Sequence, residues 1–382
     1  MRTSKAYRLL NRYISLFLTA MLIISSTLIS GGRGTFAAED KKAEQTSENN
    51  KSGEGDKAAQ PTKEEEKYTG WVQFDGLWYY YNDEGTYLKS CYIDGYWLDA
   101  DGALRYPYRA YWQGGAGNWW YGDDSGWYAY DCWLNIDEKW YYFDSMGYMC
   151  YNCFIGGCYV DDDGAYRDTE NTRWAYNLSS GELAGYFGNT VVVGDSICDG
   201  FRMYCSGSGD PVAQQFTFMT NTSFGINNAL VVSSTTPVYQ GVRRPIWESI
   251  YQSGASHVII SMGMNDIASD IFDTQYESLI NRIKQYSPGI KVTICSVTGV
   301  KTSGQRGYFT NSYVNWQNKR IRSMCARNGY GFIDLNSWTT DGYGLYSGYC
   351  SDGFVHQNSA SYSRWLEAFK SYGRAELVKR YE

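Results

Sequence analysis

Thr190-Val191-Val192-Val193-Gly194-Asp195-Ser196 is the stretch on which the fold turns. Its continuous apolar run has the pattern of a strand covered on both faces, and Gly194-Asp195 breaks it before the amphipathic segment Ile197–Tyr204. Ser196 therefore sits where a strand ends and a helix begins. There its hydroxyl can face solvent, and the helix N-terminus offers free N–H groups and positive potential to a developing oxyanion.

The same alternation continues toward the C-terminus. Further strands are expected at Gln215–Met219, His257–Met262, Lys291–Val297 and Gly331–Asp334. Helices are expected near Ile246–Gln252, Thr274–Tyr286, Ser312–Asn328 and Ser359–Lys370. Thr274 with Glu277 reads as a capping box for one of them, and Pro288-Gly289 as its stop. The pattern implies an α/β domain with about five parallel strands and helices on both sides. In such sheets ligands gather at the carboxyl ends of the strands, where Ser196 lies.

A serine is a weak nucleophile without an adjacent base. The chain has 2 histidines. His257 opens an apolar strand at the end away from the ligand-binding edge and reads as structural. His356 follows the last strand in Ser351-Asp352-Gly353-Phe354-Val355-His356, which makes it the candidate base and Asp352 its orienting carboxylate.

With Gly194-Asp195-Ser196 as a first block, Gly263-Met264-Asn265-Asp266 as a third and Asp352 with His356 as a fifth, the segment Thr190 to Lys370 resembles the SGNH, or GDSL, hydrolases. The resemblance implies a three-layer α/β/α sandwich of the flavodoxin-like kind. It also implies an oxyanion hole made by the Ser196 N–H, a block-two glycine N–H and the Asn265 side chain. Gly225, in Asn221-Thr222-Ser223-Phe224-Gly225 after the second strand, takes the glycine's place, and Asp266 reads as a loop hydrogen-bonding residue. The Asp352–His356 gap is four residues, where the family usually has three, so either a triad or a Ser–His dyad supported by a backbone carbonyl fits the sequence. The chemistry implied is acyl transfer through an ester on Ser196, with no metal and no cofactor required.

Upstream, residues from Tyr68 to Asp168 are crowded with Trp, Tyr and Gly, and a motif recurs about every 20 residues. Its clearest copies are Trp78-Tyr79-Tyr80-Tyr81-Asn82-Asp83-Glu84-Gly85, Trp119-Trp120-Tyr121-Gly122-Asp123-Asp124-Ser125-Gly126 and Trp140-Tyr141-Tyr142-Phe143-Asp144-Ser145-Met146-Gly147. Aromatic runs favour strands, and the polar residues before glycine supply a turn, so each unit reads as a β-hairpin in a solenoid-like array. The repeats resemble the choline-binding and glucan-binding repeats of Gram-positive surface proteins, on Gly70-Trp71 followed by Trp78-Tyr79-Tyr80-Tyr81 and on Trp140 to Gly147. The resemblance implies a cell-wall polymer, a choline-bearing teichoic acid or a glycan as partner. It would be held by Trp71, Trp78, Tyr80, Trp119, Trp120, Trp140 and Tyr142, unless these rings serve only the packing of the array.

Residues 1–38 have the order of a secretory signal peptide: Arg2, Lys5, Arg8 and Arg12, an apolar run from Ile14 to Ile29, then Thr35-Phe36-Ala37-Ala38. Export is expected, with cleavage near Ala37 and no stable membrane span afterwards. Residues 39–67 lack aromatic and large aliphatic side chains and read as a solvated spacer. Residues 68–168 are the repeats, 169–188 a partly helical connection and 189–382 the hydrolase domain. A net charge of -7 supplies no field for nucleic acid. Among the 10 cysteines, Cys150, Cys153 and Cys158 suggest one local disulfide, whereas Cys198 and Cys295 read as buried apolar side chains.

The expected function is that of a secreted serine esterase hydrolysing acyl esters, acetyl above all, of cell-wall or other polysaccharide, tethered by the repeats. A lipase, phospholipase or acyltransferase on the same fold, or a non-catalytic surface binding protein, are the alternatives.

Overall fold

The computed structural model describes residues 67–381. The expected signal segment and nearly all of the spacer lie outside the described residues. Among the described residues no helix is long and apolar enough to cross a membrane. Two compact units divide them, one of residues 67–90 and 98–105, the other of residues 91–97 and 106–381.

In the first unit Gly70–Phe74 pairs antiparallel with Leu77–Tyr81, placing Trp71 opposite Tyr80. The turn carboxylate or amide recurs throughout the repeats, always accepting backbone N–H groups just downstream. Here Asn82 accepts from Thr86, and Asp99 accepts from Asp101 and Ala103. In the second unit Asp123 serves Ser125, Asp144 serves Met146 and Tyr148, and Asp161 serves Asp163 and Ala165. The glycine that closes each motif is in the left-handed region, φ 79–87° at Gly85, Gly102, Gly126, Gly147 and Gly164. This turn chemistry is why Asp or Asn precedes Gly in every copy.

The hairpins of the second unit pair Ala110–Gln113 with Trp120–Asp123 and Cys132–Ile136 with Lys139–Phe143. One face of each buries Tyr121, Leu134, Ile136 and Phe143 in a shared aromatic and aliphatic core. Cys153–Ile155, Cys158–Val160 and Tyr166–Arg167 make a final three-stranded sheet. All 10 cysteines are free thiols, so the local disulfide expected among Cys150, Cys153 and Cys158 is not formed. Instead a hydrogen bond with Cys153 and, after it, burial raise the Cys150 thiol well above its ordinary range.

Downstream, two short helices, Glu170–Tyr176 and Ser180–Ala184, each open with a capping box, Thr169 with Thr172 and Ser179 with Glu182. The central sheet follows, made of β1 (Thr190–Gly194), β2 (Phe216–Thr220), β3 (His257–Ser261), β4 (Lys291–Cys295) and β5 (Gly331–Ile333). Its order is 2-1-3-4-5, with every pair parallel. Every residue of β1 and β3 is buried, as strands covered on both faces require. The helices are α1 (Ser196–Ser208), α2 (Ile226–Ala229), α3 (Ile246–Gln252), α4 (Phe272–Tyr286), α5 (Asn311–Asn328), α6 (Leu335–Thr339) and α7 (Ser359–Tyr381). α1 packs on α7, while α2, α3 and α5 each pack on α4. The expected Thr274–Glu277 capping box does not form, because α4 starts earlier, at Phe272, whose fully buried ring anchors the first turn. α7 also runs past Lys370 to Tyr381, its buried residues Ala375 and Val378 meeting Phe154 and Tyr159 of the last repeat.

Arg322 of α5 ties the repeats to this domain within the second unit. Its guanidinium donates to Asp144, the turn carboxylate of the Lys139–Phe143 hairpin, at 2.9 Å and to Asp334, which follows β5, at 2.8 Å. Arg322 and Asp144 are both buried, and Asn118 adds bonds to the Lys319 carbonyl and the Ser323 hydroxyl. Removing one member of such a cluster strands charge in a dry site. Arg322→Met is therefore expected to destabilise the protein by about 3–5 kcal/mol in urea unfolding at neutral pH; a loss below about 1 kcal/mol, the scale of an exposed pair, contradicts this role.

Candidate functional site

The end of β1 delivers Gly194-Asp195-Ser196 to the carboxyl edge of the sheet, and α1 begins on the serine itself. Asp195 is the N-cap, accepting from the Ile197 N–H at 2.9 Å and the Cys198 N–H at 3.3 Å. Ser196 is thus held in the first turn, where a helical N–H has no partner within the helix. Cys198 and Cys295 are fully buried, as expected of apolar side chains.

His356 lies 160 positions away, and its Nε2 is 3.0 Å from Ser196 Oγ. On the other side of the imidazole, Nδ1 is 2.6 Å from Asp352 Oδ2. The long gap does not pull Asp352 out of reach. Gly353, at φ 76°, turns the chain, and Asp352 Oδ1 accepts from the Phe354, Val355 and His356 N–H groups at 2.8, 3.1 and 3.2 Å. Partial burial works against ionisation, but the bonds from the His356 ring and from these N–H groups hold the carboxyl below the ordinary carboxylate range. Asp352 is therefore an ionised acceptor that fixes the imidazole with Nδ1 protonated and Nε2 facing the serine.

Asn265 sits in the short helical turn after β3 and donates from Nδ2 to the Phe224 carbonyl at 3.0 Å, using one of its two amide hydrogens. Phe224 immediately precedes Gly225, so this bond joins the two loops expected to build the oxyanion hole. Asp266 locks the same junction, accepting from the Ile226 and Asn227 N–H groups at 2.8 and 3.0 Å. A side chain at Gly225 would come within 2.6 Å of Asp266 Oδ2, which explains the glycine. The Gly225 N–H itself donates to Asn228 Oδ1 at 3.0 Å. It can serve an oxyanion only when the Asn228 side chain gives way, a competition whose signal in the sequence is the cap-like spacing of Gly225 and Asn228.

His257 is not part of this site. It is buried, with Nε2 2.8 Å from Thr293 Oγ1, and burial lowers its pKa to about 3, so it stays neutral.

A cleft of about 300 Å³ opens beside Asn265, lined by Asn227, Ile267, Ile271, Tyr308 and Phe309 among others. It lies at the small end of ligand pockets, which span roughly 300–1,000 Å³. Tyr308 and Phe309 come from the loop after β4, which carries no motif in the sequence.

The aromatic residues expected to hold a ligand divide between the units. In the first, Trp71 meets Tyr80 edge-on with centroids 5.4 Å apart, and Trp78 is exposed. In the second, Trp119 is exposed and Trp120 meets Tyr128 edge-on at 6.3 Å. Trp140 and Tyr142 share the face of their hairpin opposite the core. Tyr142 packs on Trp133 at 5.4 Å, and Trp133 meets Tyr166 at 6.0 Å, so Trp133 and Tyr166 join the residues singled out from the sequence.

Residues 192–364 match the model of the GDSL-like Lipase/Acylhydrolase family. A search of curated proteins returns no match. Among solved structures, the chain is similar to a GDSL-like lipase from Bacteroides thetaiotaomicron, at 16% identity and TM-score 0.38, covering 53% of this chain and 100% of that one. It is also similar to a carbohydrate esterase family 3 protein from Talaromyces cellulolyticus, at 14% identity and TM-score 0.37, covering 50% and 98%. A choline binding domain from Streptococcus pneumoniae matches at 27% identity and TM-score 0.14, covering 26% and 96%.

Burial pushes the Asp195 carboxyl up to about 6, against the pull of the Cys198 and Ile197 N–H groups. A carboxyl raised on folding stabilises the fold fully below its ordinary value, near pH 4, and that contribution is lost as the pH rises through about 6. Asp195→Asn is expected to flatten this slope, worth roughly 3 kcal/mol across the window. Tm followed from about pH 4 to about pH 7 in both proteins checks it, an unchanged slope being the contrary result.

Proposed function

Proceeding from a GDSL-like lipase/acylhydrolase domain at residues 192–364, which makes the chain a carboxylic ester hydrolase, we propose that it is an exported serine esterase. It removes short acyl groups, acetyl foremost, from cell-wall or other polysaccharide, and the hairpin repeats hold it on the polymer. The observation that carries this reading is the unbroken chain of hydrogen bonds from Ser196 through His356 to Asp352.

In the proposed mechanism Ser196 Oγ attacks the ester carbonyl carbon while His356 Nε2 takes the hydroxyl proton. The carbonyl oxygen becomes an oxyanion that the Ser196 N–H, the Asn265 amide and, once Asn228 turns away, the Gly225 N–H can meet. Collapse breaks the carbon–oxygen bond to the alcohol, which leaves with the proton from His356. Water, deprotonated by the same imidazole, then attacks the acyl-serine carbonyl; collapse breaks the acyl–Oγ bond, the carboxylic acid leaves, and His356 returns its proton to Ser196 Oγ. Asp352 stabilises the imidazolium at each proton transfer and orients the ring.

The small cleft beside Asn265 favours a short acyl group over a long chain. For the repeats, support comes from the half-buried rings of Trp133, Tyr142 and Tyr166, whose spacing suits a cation or a sugar face. Trp71 with Tyr80 offers a comparable pair in the first unit.

Acetate release from acetylated polysaccharide, with ester substrates graded by acyl length, tests the proposal. Ser196→Ala should abolish turnover, and Asn265→Ala should slow it by about 10²–10³. Activity confined to long-chain lipid esters would reject the carbohydrate reading, and full activity in Ser196→Ala would reject the mechanism.

A further inference from the structure

Between Asp352 and His356, Phe354 meets the loop after β4. The Lys301 N–H donates to the Phe354 carbonyl at 2.9 Å, and the Phe309 ring meets the Phe354 ring edge-on at 5.3 Å. The Arg306 guanidinium carbon lies 3.7 Å from the centroid of the same ring. Arg306 and Phe309 exchange backbone hydrogen bonds of 3.2 and 2.9 Å around Gly307-Tyr308, so the cation and the cleft-lining residues form one tight turn.

Arg306 is exposed, and among the described residues its guanidinium has neither a carboxylate partner nor a side-chain hydrogen bond. In a chain of net charge -7 this is a cation left unmatched beside the cleft. Stacking on Phe354 restrains the guanidinium while its N–H edges stay available in the plane, the geometry that binds two oxygens of one anion side by side. The cation is also tied to the site, since its platform is two residues from His356 and its turn lines the cleft with Asn265.

We propose that Arg306 is a specificity-determining residue that recognises an anionic group, a carboxylate or phosphate, on the sugar or polyol bearing the acyl group. This rests on the esterase reading above. The acyl carbonyl meets Ser196 and Asn265, and the anion of the alcohol part lies against the rim where Arg306 is held. Acidic polymers are then preferred over neutral ones through binding rather than through the chemical step.

The test uses the full chain as wild type, Arg306→Gln and Arg306→Lys. The substrates are acetylated xylan oligosaccharide (neutral), acetylated galacturonan oligosaccharide (carboxylate), acetylated poly(glycerol phosphate) (phosphate) and 4-nitrophenyl acetate. Wild type should prefer one of the anionic polymers, which identifies the anion. Arg306→Gln should lower the ratio of anionic to neutral kcat/KM by about 10- to 100-fold, carried by KM, with Arg306→Lys in between. Added salt should reduce the preference in wild type. An equal ratio in wild type and Arg306→Gln overturns the proposal, as does a wild-type preference for the neutral oligosaccharide. A wild type inert toward every ester, 4-nitrophenyl acetate included, fails the esterase reading instead. Calorimetric binding of galacturonan oligosaccharide and of poly(glycerol phosphate) to wild type and Arg306→Gln then decides the role of Arg306, equal affinities for both overturning it.

Discussion

The contact on which the rest depends is the 3.0 Å approach of Ser196 Oγ to His356 Nε2 across 160 residues of chain. No local interaction can arrange it. The serine arrives on the end of β1 and the histidine on the loop before α7, and the two meet because parallel strands present their carboxyl ends at one edge. Each partner is then fixed from behind, Ser196 by the N-cap of α1 and His356 by Asp352, whose second oxygen is occupied by three backbone N–H groups. The two loops expected to form the oxyanion hole are held likewise, with Asn265 tied to the Phe224 carbonyl and Asp266 to the start of α2.

The same economy governs the repeats. A turn aspartate that closes its own hairpin is, at Asp144, also a partner for a buried arginine of the catalytic domain. Asp334, the other partner of Arg322, accepts from the Ser296 hydroxyl just after β4. Repeat 132–149 is thus held by the sheet that carries the site, and the division into compact units falls within the repeats, around residues 91–105, rather than at their end.

Much of this is legible in the residues. The apolar runs at Val191 and Val258 announce strands because a doubly covered strand has no polar face, and Ser196 and Asn265 each follow such a run, whereas His356 lies beyond β5 and α6. The start of α4 is not legible, because the buried ring of Phe272 outweighs the cap signal of Thr274. The Asp352 contact depends on a turn at Gly353 that residue spacing alone cannot convey. Arg306 lying over Phe354 is a product of loop geometry with no periodicity to betray it, and the trace that Asn228 leaves of its hold on the Gly225 N–H is their cap-like spacing. Nothing in the sequence singles out Arg322, which the packing of the hairpin over α5 buries.

The central claim is that Ser196 is an activated nucleophile, its hydroxyl made reactive by an imidazole that Asp352 orients. Covalent labelling of the intact protein with a fluorophosphonate, followed by peptide mass mapping, addresses it directly. The account predicts one adduct per chain, located on Ser196 and lost in His356→Ala. Labelling elsewhere, or a Ser196 that stays unmodified while the protein is folded, would contradict it.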